Sequence, residues 1–196
     1  MPLVAYKELP TFARLKEEGR TILPPERARQ QDIRELHIGL LNMMPDAALE
    51  ATERQFFRLV GESNQIAQLY IHPFSLPELT RSDKTKAYID KYYEPFEELK
   101  EKGLDALIIT GANVSQPDLE KEPFWQPLQE VMEWSWNNVT STMCSCLATH
   151  AVMQSQHNTK RNPLPNGKLW GVYKHNIVDR SHPLVRNMNT VFDVPH

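Results

Sequence analysis

Along this 196-residue chain the apolar positions alternate between two patterns. Near-continuous or alternating apolar runs at residues 36–44, 66–74 and 104–110 predict strands inside a sheet. Between them, apolar residues recur at three- and four-residue steps, which predicts helices. Residues 46–60 place Leu49, Phe56, Phe57 and Val60 on one side and Glu50, Glu53, Arg54 and Arg58 elsewhere, with Asp46 as the N-cap. Residues 83–102 predict two helical pieces broken near Pro95 and closed by Gly103. A helix over 122–136 turns Phe124, Leu128, Val131 and Met132 inward. Residues 139–146 then carry the β-branched and small apolar side chains of a buried strand, while Leu147, Ala151 and Val152 recur at helical intervals. A strand therefore meets a helix at Cys146. After the basic, irregular stretch 160–168, further strands are predicted at 170–178 and 190–196. Residues 1–35 are polar and proline-rich, with a short helix at 11–18, and predict an arm lying over a domain at 36–196 and outside its core.

Repeated strand–helix alternation implies an α/β domain with a mostly parallel sheet and right-handed crossovers. Hydrophobic residues at 40%, charged residues at 24% and a net charge of −3 without a basic block speak against a nucleic-acid partner. The N-terminus lacks a charged segment followed by an apolar run, and no stretch approaches the roughly 20 apolar residues of a membrane span. A cytoplasmic protein without membrane partners is expected. Its two cysteines, Cys144 and Cys146, stand only two residues apart, and reduced thiols are expected, with no mutual disulfide. They have no second ligand pair at suitable spacing, which disfavours a metal.

A side chain on the Cys146 corner projects above the C-terminal edge of the sheet, where a helix N-terminus stabilises a thiolate and an oxyanion. The residues allow two readings: a nucleophile at Cys146, or a pair of small core cysteines. The small-residue turn Gly111-Ala112-Asn113 follows a strand, where α/β sites lie.

Several stretches together resemble the homoserine O-succinyltransferase family: Leu40-Leu41-Asn42-Met43-Met44-Pro45, Leu107-Ile108-Ile109-Thr110-Gly111-Ala112, Met132-Glu133-Trp134-Ser135, Val139-Thr140-Ser141-Thr142, Gly171-Val172-Tyr173 and Phe192-Asp193-Val194-Pro195-His196. They stand in the family's order and nearly its spacing over about residues 30–196. The resemblance implies a class I glutamine-amidotransferase-like, flavodoxin-like fold with helices on both faces of the sheet. It also implies transfer of an acyl group from an acyl-CoA to the hydroxyl of homoserine, in methionine biosynthesis. Cys146 falls on the family's nucleophile, which forms an acyl-thioester. The backbone N–H groups of Leu147 and of the Gly111 turn are candidates for the oxyanion hole. Lys168 matches a substrate-contacting lysine. Ser115 falls where the acyl donor is chosen; a small residue there goes with succinyl and an acidic one with acetyl. The implied partners are the small molecules succinyl-CoA and L-homoserine, with succinyl-CoA a co-substrate and no bound cofactor, and a homodimer is among the assemblies the resemblance allows.

The chain also departs from the family pattern. After Pro45 it lacks the lysine that many members carry, and Cys146-Leu147-Ala148 replaces the commoner cysteine-tryptophan-glycine. The family's catalytic histidine, its glutamate partner, a substrate-binding arginine and a substrate-contacting serine fall beyond the position of His196, so the chain is expected to be C-terminally incomplete. His150, one turn into the helix, is the first in-chain candidate for a base. Two other readings stay open on sequence alone: a glutamine-hydrolysing amidotransferase domain, and a non-catalytic α/β binding or regulatory protein that keeps the corner without the base.

Overall fold

The structure is a computed structural model that describes residues 3–64, 66–162, 164, 165, 167 and 169–195. The chain forms two compact units, Met1–Lys160 and Arg161–His196. In the first, four parallel strands make a sheet in the order β2-β1-β3-β4, with β1 at Glu35–Leu41, β2 at Gln68–Phe74, β3 at Ala106–Ile109 and β4 at Ser141–Cys144. This is the order of a flavodoxin-like doubly wound sheet, whose ligands bind outside the C-terminal ends of its first and third strands, where the winding reverses.

Side chains on successive strand residues face opposite layers. Leu41, Phe74, Leu107 and Ile109 share one core with Leu99, Leu128, Val131, Leu147 and Ala151, from helices α5 (Phe96–Lys102), α6 (Trp125–Asn138) and α7 (Leu147–His157). Leu40, Leu69, Ile71 and Ile108 face the other layer and pack with Phe12, Leu15 and Phe57 of α1 (Pro10–Glu17) and α3 (Asp46–Ser63). The helical pieces around Pro95 are α4 (Asp83–Tyr92) and α5, and Gly103 closes α5 at φ 79° as its C-cap. Ser82, not an acidic residue, caps α4 by accepting from the Thr85 N–H.

Four expectations change. The N-terminal stretch is not peripheral: Leu3 and Val4 are fully buried, Leu3 bridges Leu69 on β2, and the Phe12 ring meets Phe57 edge-on at 5.5 Å. Its proline-rich composition conceals an apolar face at Leu9, Phe12 and Leu15, and α2 (Pro25–Ala28) buries Ala28 as well. Glu53, expected on a polar face, is fully buried, because Thr11 and Tyr88 bring hydroxyl donors to its carboxylate. Asp46 is the first residue of α3 and Pro45 the cap; the Asp46 carboxylate accepts instead from the Ser82 N–H at 2.9 Å. Finally β4, expected to be buried, is an edge strand of the sheet, and Met143 is 48% exposed.

In the second unit β5 (Val172–Asn176) pairs antiparallel with β6 (Val191–Pro195), placing Tyr173 opposite Val194 and His175 opposite Phe192. Among the described residues no helix is long and apolar enough to cross a membrane.

Candidate active site

The sheet delivers three loops to its C-terminal edge. After β1, the Asn42 N–H donates to the Phe74 carbonyl at 2.9 Å, and the Met43 N–H donates to Thr110 Oγ1 at 2.8 Å. After β3, Thr110 N–H reaches the Leu41 carbonyl at 3.0 Å. After β4, Ser145 N–H reaches the Ile109 carbonyl at 2.9 Å. Each loop is thus stitched to its neighbour just beyond the last strand residue, and the edge is held as one surface.

Cys146 stands on the corner that the sequence pattern predicts. It is the N-cap of α7, with φ 56° and ψ −119°, a backbone conformation that costs a non-glycine residue of the order of 1–3 kcal/mol. The neighbouring bonds enforce it. Ala148 N–H donates to the Ser145 carbonyl at 3.2 Å, Thr149 N–H to the Cys146 carbonyl at 3.0 Å, and Thr149 Oγ1–H to the Cys144 carbonyl at 3.1 Å. A strained strand-to-helix turn of this kind lifts a nucleophile out of the sheet and leaves it accessible. Cys146 is exposed, whereas Cys144 is half-buried against the core, and burial pushes its thiol above the ordinary value of 9.0. Both cysteines are free, and they differ because Cys144 ends β4 whereas Cys146 lies beyond it as the N-cap of α7.

Gly111 runs directly against the thiol. A Cβ built on it would lie 3.1 Å from Cys146 Cβ, 3.2 Å from Cys146 Sγ and 3.7 Å from the Leu147 nitrogen. Leu147 is the first residue of α7, so its N–H has no acceptor within the helix. The structure therefore brings Gly111, Cys146 and Leu147 together. Around a carbonyl attacked by Cys146, this arrangement offers a nucleophile, backbone amides at one helix N-terminus, and a close wall without a side chain.

Ser115 lies four residues farther along the same loop. Its N–H and that of Gln116 donate to Glu122 Oε1 at 2.5 and 2.6 Å, and its Oγ is 3.3 Å from Glu122 Oε2. Its neutral side chain therefore sits beside a carboxylate contributed from outside the loop. Ser115, Glu122, Met43, Asp46 and Arg81 line a cavity of about 520 Å³ between the loops that follow β1 and β3. This is the crevice that the strand order marks for a ligand. A larger cavity of about 660 Å³, lined by Glu130, Trp136 and His157, lies at the far end of α7 from Cys146.

After Pro45 stands Asp46, where the resemblance implies a lysine in many members, and Arg81 is the cation that lines this cavity. The Arg81 side chain is 5% exposed, donates from Nη1 to the Met44 carbonyl and from Nη2 to the Asn42 carbonyl, and stands 3.5 Å from Asp46 Oδ1. Burial pulls it below the usual guanidinium value, with Asp46 opposing. Hydrogen bonds from Ser82 lower Asp46 to about 2. Neither Arg81 nor Glu122 was legible as a site residue, since each stands among other charged residues of a polar stretch with no spacing signal.

His150 is exposed on α7. Lys168 and His196 lie outside the described residues. Among the described residues there is no group of three or more His, Cys, Asp or Glu that could hold a metal ion.

The family model described as homoserine O-succinyltransferase matches residues 2–196. Proteins named homoserine O-succinyltransferase from Thioalkalivibrio nitratireducens, Allochromatium vinosum and Nitrosococcus oceani are 67%, 64% and 64% identical over 196 residues. Those alignments cover 100% of this chain and 55%, 55% and 54% of the relatives, so the chain spans about half the length of the curated relatives it matches. With the family model matched from residue 2 to residue 196 and two-thirds identity to a relative across the same span, the chain belongs to the homoserine O-succinyltransferase family.

Proposed function

We propose that this chain carries the acyl-accepting thiol of an enzyme that moves a succinyl group from succinyl-CoA to the hydroxyl of L-homoserine in methionine biosynthesis. The observation that carries the reading is the exposed Cys146 on a strained strand-to-helix corner with the Gly111 backbone against its sulfur. In the first step the Cys146 thiolate attacks the thioester carbon. A bond forms from Sγ to the acyl carbon, the carbon–sulfur bond to CoA breaks, and CoA leaves as a thiolate. In the second, the homoserine hydroxyl attacks the acyl-enzyme, loses its proton to a base, and Cys146 leaves as a thiolate. Each step passes through an oxyanion, for which the Leu147 and Gly111 backbone N–H groups are the candidate donors.

The cavity beside Ser115 is the site for the donor's acyl end, with Arg81 supplying positive charge on one wall and Glu122 negative charge on the other. Lys168 is assigned to the substrate through the family resemblance. In this reading the base is a histidine of the full-length protein beyond residues 1–196, the substrates are small molecules, no bound cofactor takes part and the protein works in the cytoplasm.

Labelled succinyl-CoA and homoserine test this directly. Residues 1–196 should take up label at Cys146 and turn over homoserine at least about 10²-fold more slowly than a full-length chain, the usual contribution of a positioned base. Turnover equal to the full-length rate would place the base within these residues and make His150 the first to be replaced. Labelling by a glutamine analogue with none by succinyl-CoA would replace acyl transfer with amide hydrolysis.

A further inference from the structure

We propose that Glu122 is a positioning residue for the Cys146 site: its carboxylate anchors the loop 111–116 and so keeps the Gly111–Ala112 backbone against the thiol. This rests on the acyl-transfer reading only in that it concerns an oxyanion formed at Cys146. The loop runs from the end of β3 to the short turn Leu119–Lys121 without regular structure, so its place depends on individual bonds. Its near end is held by Thr110, through the Leu41 carbonyl and the Met43 N–H. Its far end is held by Glu122, whose Oε1 takes both the Ser115 and the Gln116 N–H at 2.5 and 2.6 Å. Hydrogen bonds to an ionised acceptor are roughly twice as strong as neutral ones, and two successive amides on one oxygen fix direction as well as distance.

The carboxylate cannot follow the loop, because its own backbone is locked. Glu122 N–H donates to the Leu119 carbonyl at 3.1 Å and the Glu122 carbonyl accepts from Trp125 N–H at 3.0 Å. Glu122 is 6% exposed, between the buried Leu119 and Phe124 at the start of α6. Between the two anchors, Ala112 and Val114 pack against the same core that includes Leu147. Without the carboxylate, the Ser115 and Gln116 amides turn to water and the segment facing the thiol loses one of its two fixed ends.

Two reactions of the same thiol separate positioning from general damage. With p-nitrophenyl acetate, the Cys146 thiolate attacks the ester carbonyl, a sulfur–carbon bond forms, the aryl carbon–oxygen bond breaks and p-nitrophenolate leaves, all through an oxyanion. With iodoacetamide, sulfur displaces iodide from carbon and no oxyanion forms. Glu122→Ala should slow acylation by about 10-fold or more, a misplacement that costs less than the about 10²–10³-fold of a lost oxyanion donor, while alkylation stays within about twofold of wild type. Glu122→Gln, which keeps an acceptor oxygen at the same reach, should recover acylation to within about threefold, and Glu122→Asp, which keeps the charge but is one methylene shorter, should not.

Equal slowing of both reactions, or unchanged acylation in Glu122→Ala, overturns the proposal. Should Glu122→Ala fail to fold, the order of the Gln and Asp variants decides: faster acylation by Asp than by Gln also overturns it. A wild-type chain that is acylated by p-nitrophenyl acetate but not by succinyl-CoA removes the donor reading and leaves this comparison intact. A thiol that alkylates readily but is acylated by neither ends both.

Discussion

The closest neighbours of the Gly111 Cα substituent position are the side-chain atoms of Cys146: a methyl group there would meet Sγ at 3.2 Å and Cβ at 3.1 Å. Contacts of that length force one side to give by a few tenths of an ångström. Cys146 cannot easily be the one, since it is pinned in a positive-φ corner by bonds from Ala148, Thr149 and the β3 edge. Gly111→Ala is therefore expected to fold, with a stability loss of about 1–3 kcal/mol as for other overpacked sites, and to displace the loop from the thiol. Acylation of Cys146 should fall about 10-fold or more, as when one oxyanion donor is misplaced. Stopped-flow acylation alongside thermal denaturation measures both.

The strain at Cys146 can be tested without any substrate. Glycine reaches φ 56° and ψ −119° at little steric cost, whereas alanine keeps the same Cβ conflict as cysteine. Cys146→Gly should therefore be more stable than Cys146→Ala by about 1 kcal/mol or more in urea denaturation, although glycine normally loses to alanine on entropic grounds. The opposite order would mean that the corner is not strained.

This corner was legible in the sequence because two different periodicities meet at one residue, and the parallel sheet follows from strand–helix alternation along the chain. Other features were not legible. Glu53 reads as a surface residue of an amphipathic helix, and its burial is made possible by Thr11, Tyr88 and Tyr93, which are far away in sequence. The N-terminal segment reads as an arm because prolines and charges dominate its composition, yet Leu3, Phe12 and Leu15 complete one layer of the core. Glu122 follows a lysine and precedes a proline, and nothing in that spacing shows that its carboxylate reaches back to residues 115 and 116. Ser115 reads as a small neutral position, while in the fold it shares its place with that carboxylate.

Acid sensitivity should come from Glu94. Its carboxylate accepts from Tyr6 at 2.7 Å and lies 2.8 Å from His72 Nδ1, 3.1 Å from Lys7 Nζ and 3.3 Å from Lys102 Nζ. Burial opposes its charge, but the bonds from His72 and Tyr6 and the nearby cations outweigh burial and hold it far below the ordinary 4.5. For an acid whose folded value is lowered, the unfolded chain binds the proton first as pH falls. The stabilisation is thus complete above about pH 4.5 and is lost progressively below it. His37, whose Nδ1 is 2.9 Å from His72 Nε2 and which burial and His72 both pull down, keeps Glu35 and Asp105 at the outer end of the cluster. Glu94→Gln should cost about 1–3 kcal/mol at pH 7 and flatten the fall in melting temperature between pH 5 and pH 3. An unchanged acid limb would assign the acid sensitivity elsewhere.

The donor cavity allows a charge test. Ser115→Glu would place a second carboxylate beside that of Glu122, across from Arg81. Like charges at that range disfavour a donor that itself ends in a carboxylate, so the ratio of succinyl-CoA to acetyl-CoA acylation rates should fall by about 10-fold, the equivalent of about 1.4 kcal/mol. Rates measured with both donors on the same preparation give the ratio, and a ratio that rises or stays constant would remove Ser115 from donor choice.

The central claim, that Cys146 is the thiol that accepts the acyl group, is tested most directly by mass spectrometry of the intact chain and its peptides after mixing with succinyl-CoA. The expected result is one succinyl group per chain on the Cys146 peptide, retained in Cys144→Ala and absent in Cys146→Ala. Labelling of Cys144, or labelling that survives in Cys146→Ala, would contradict it.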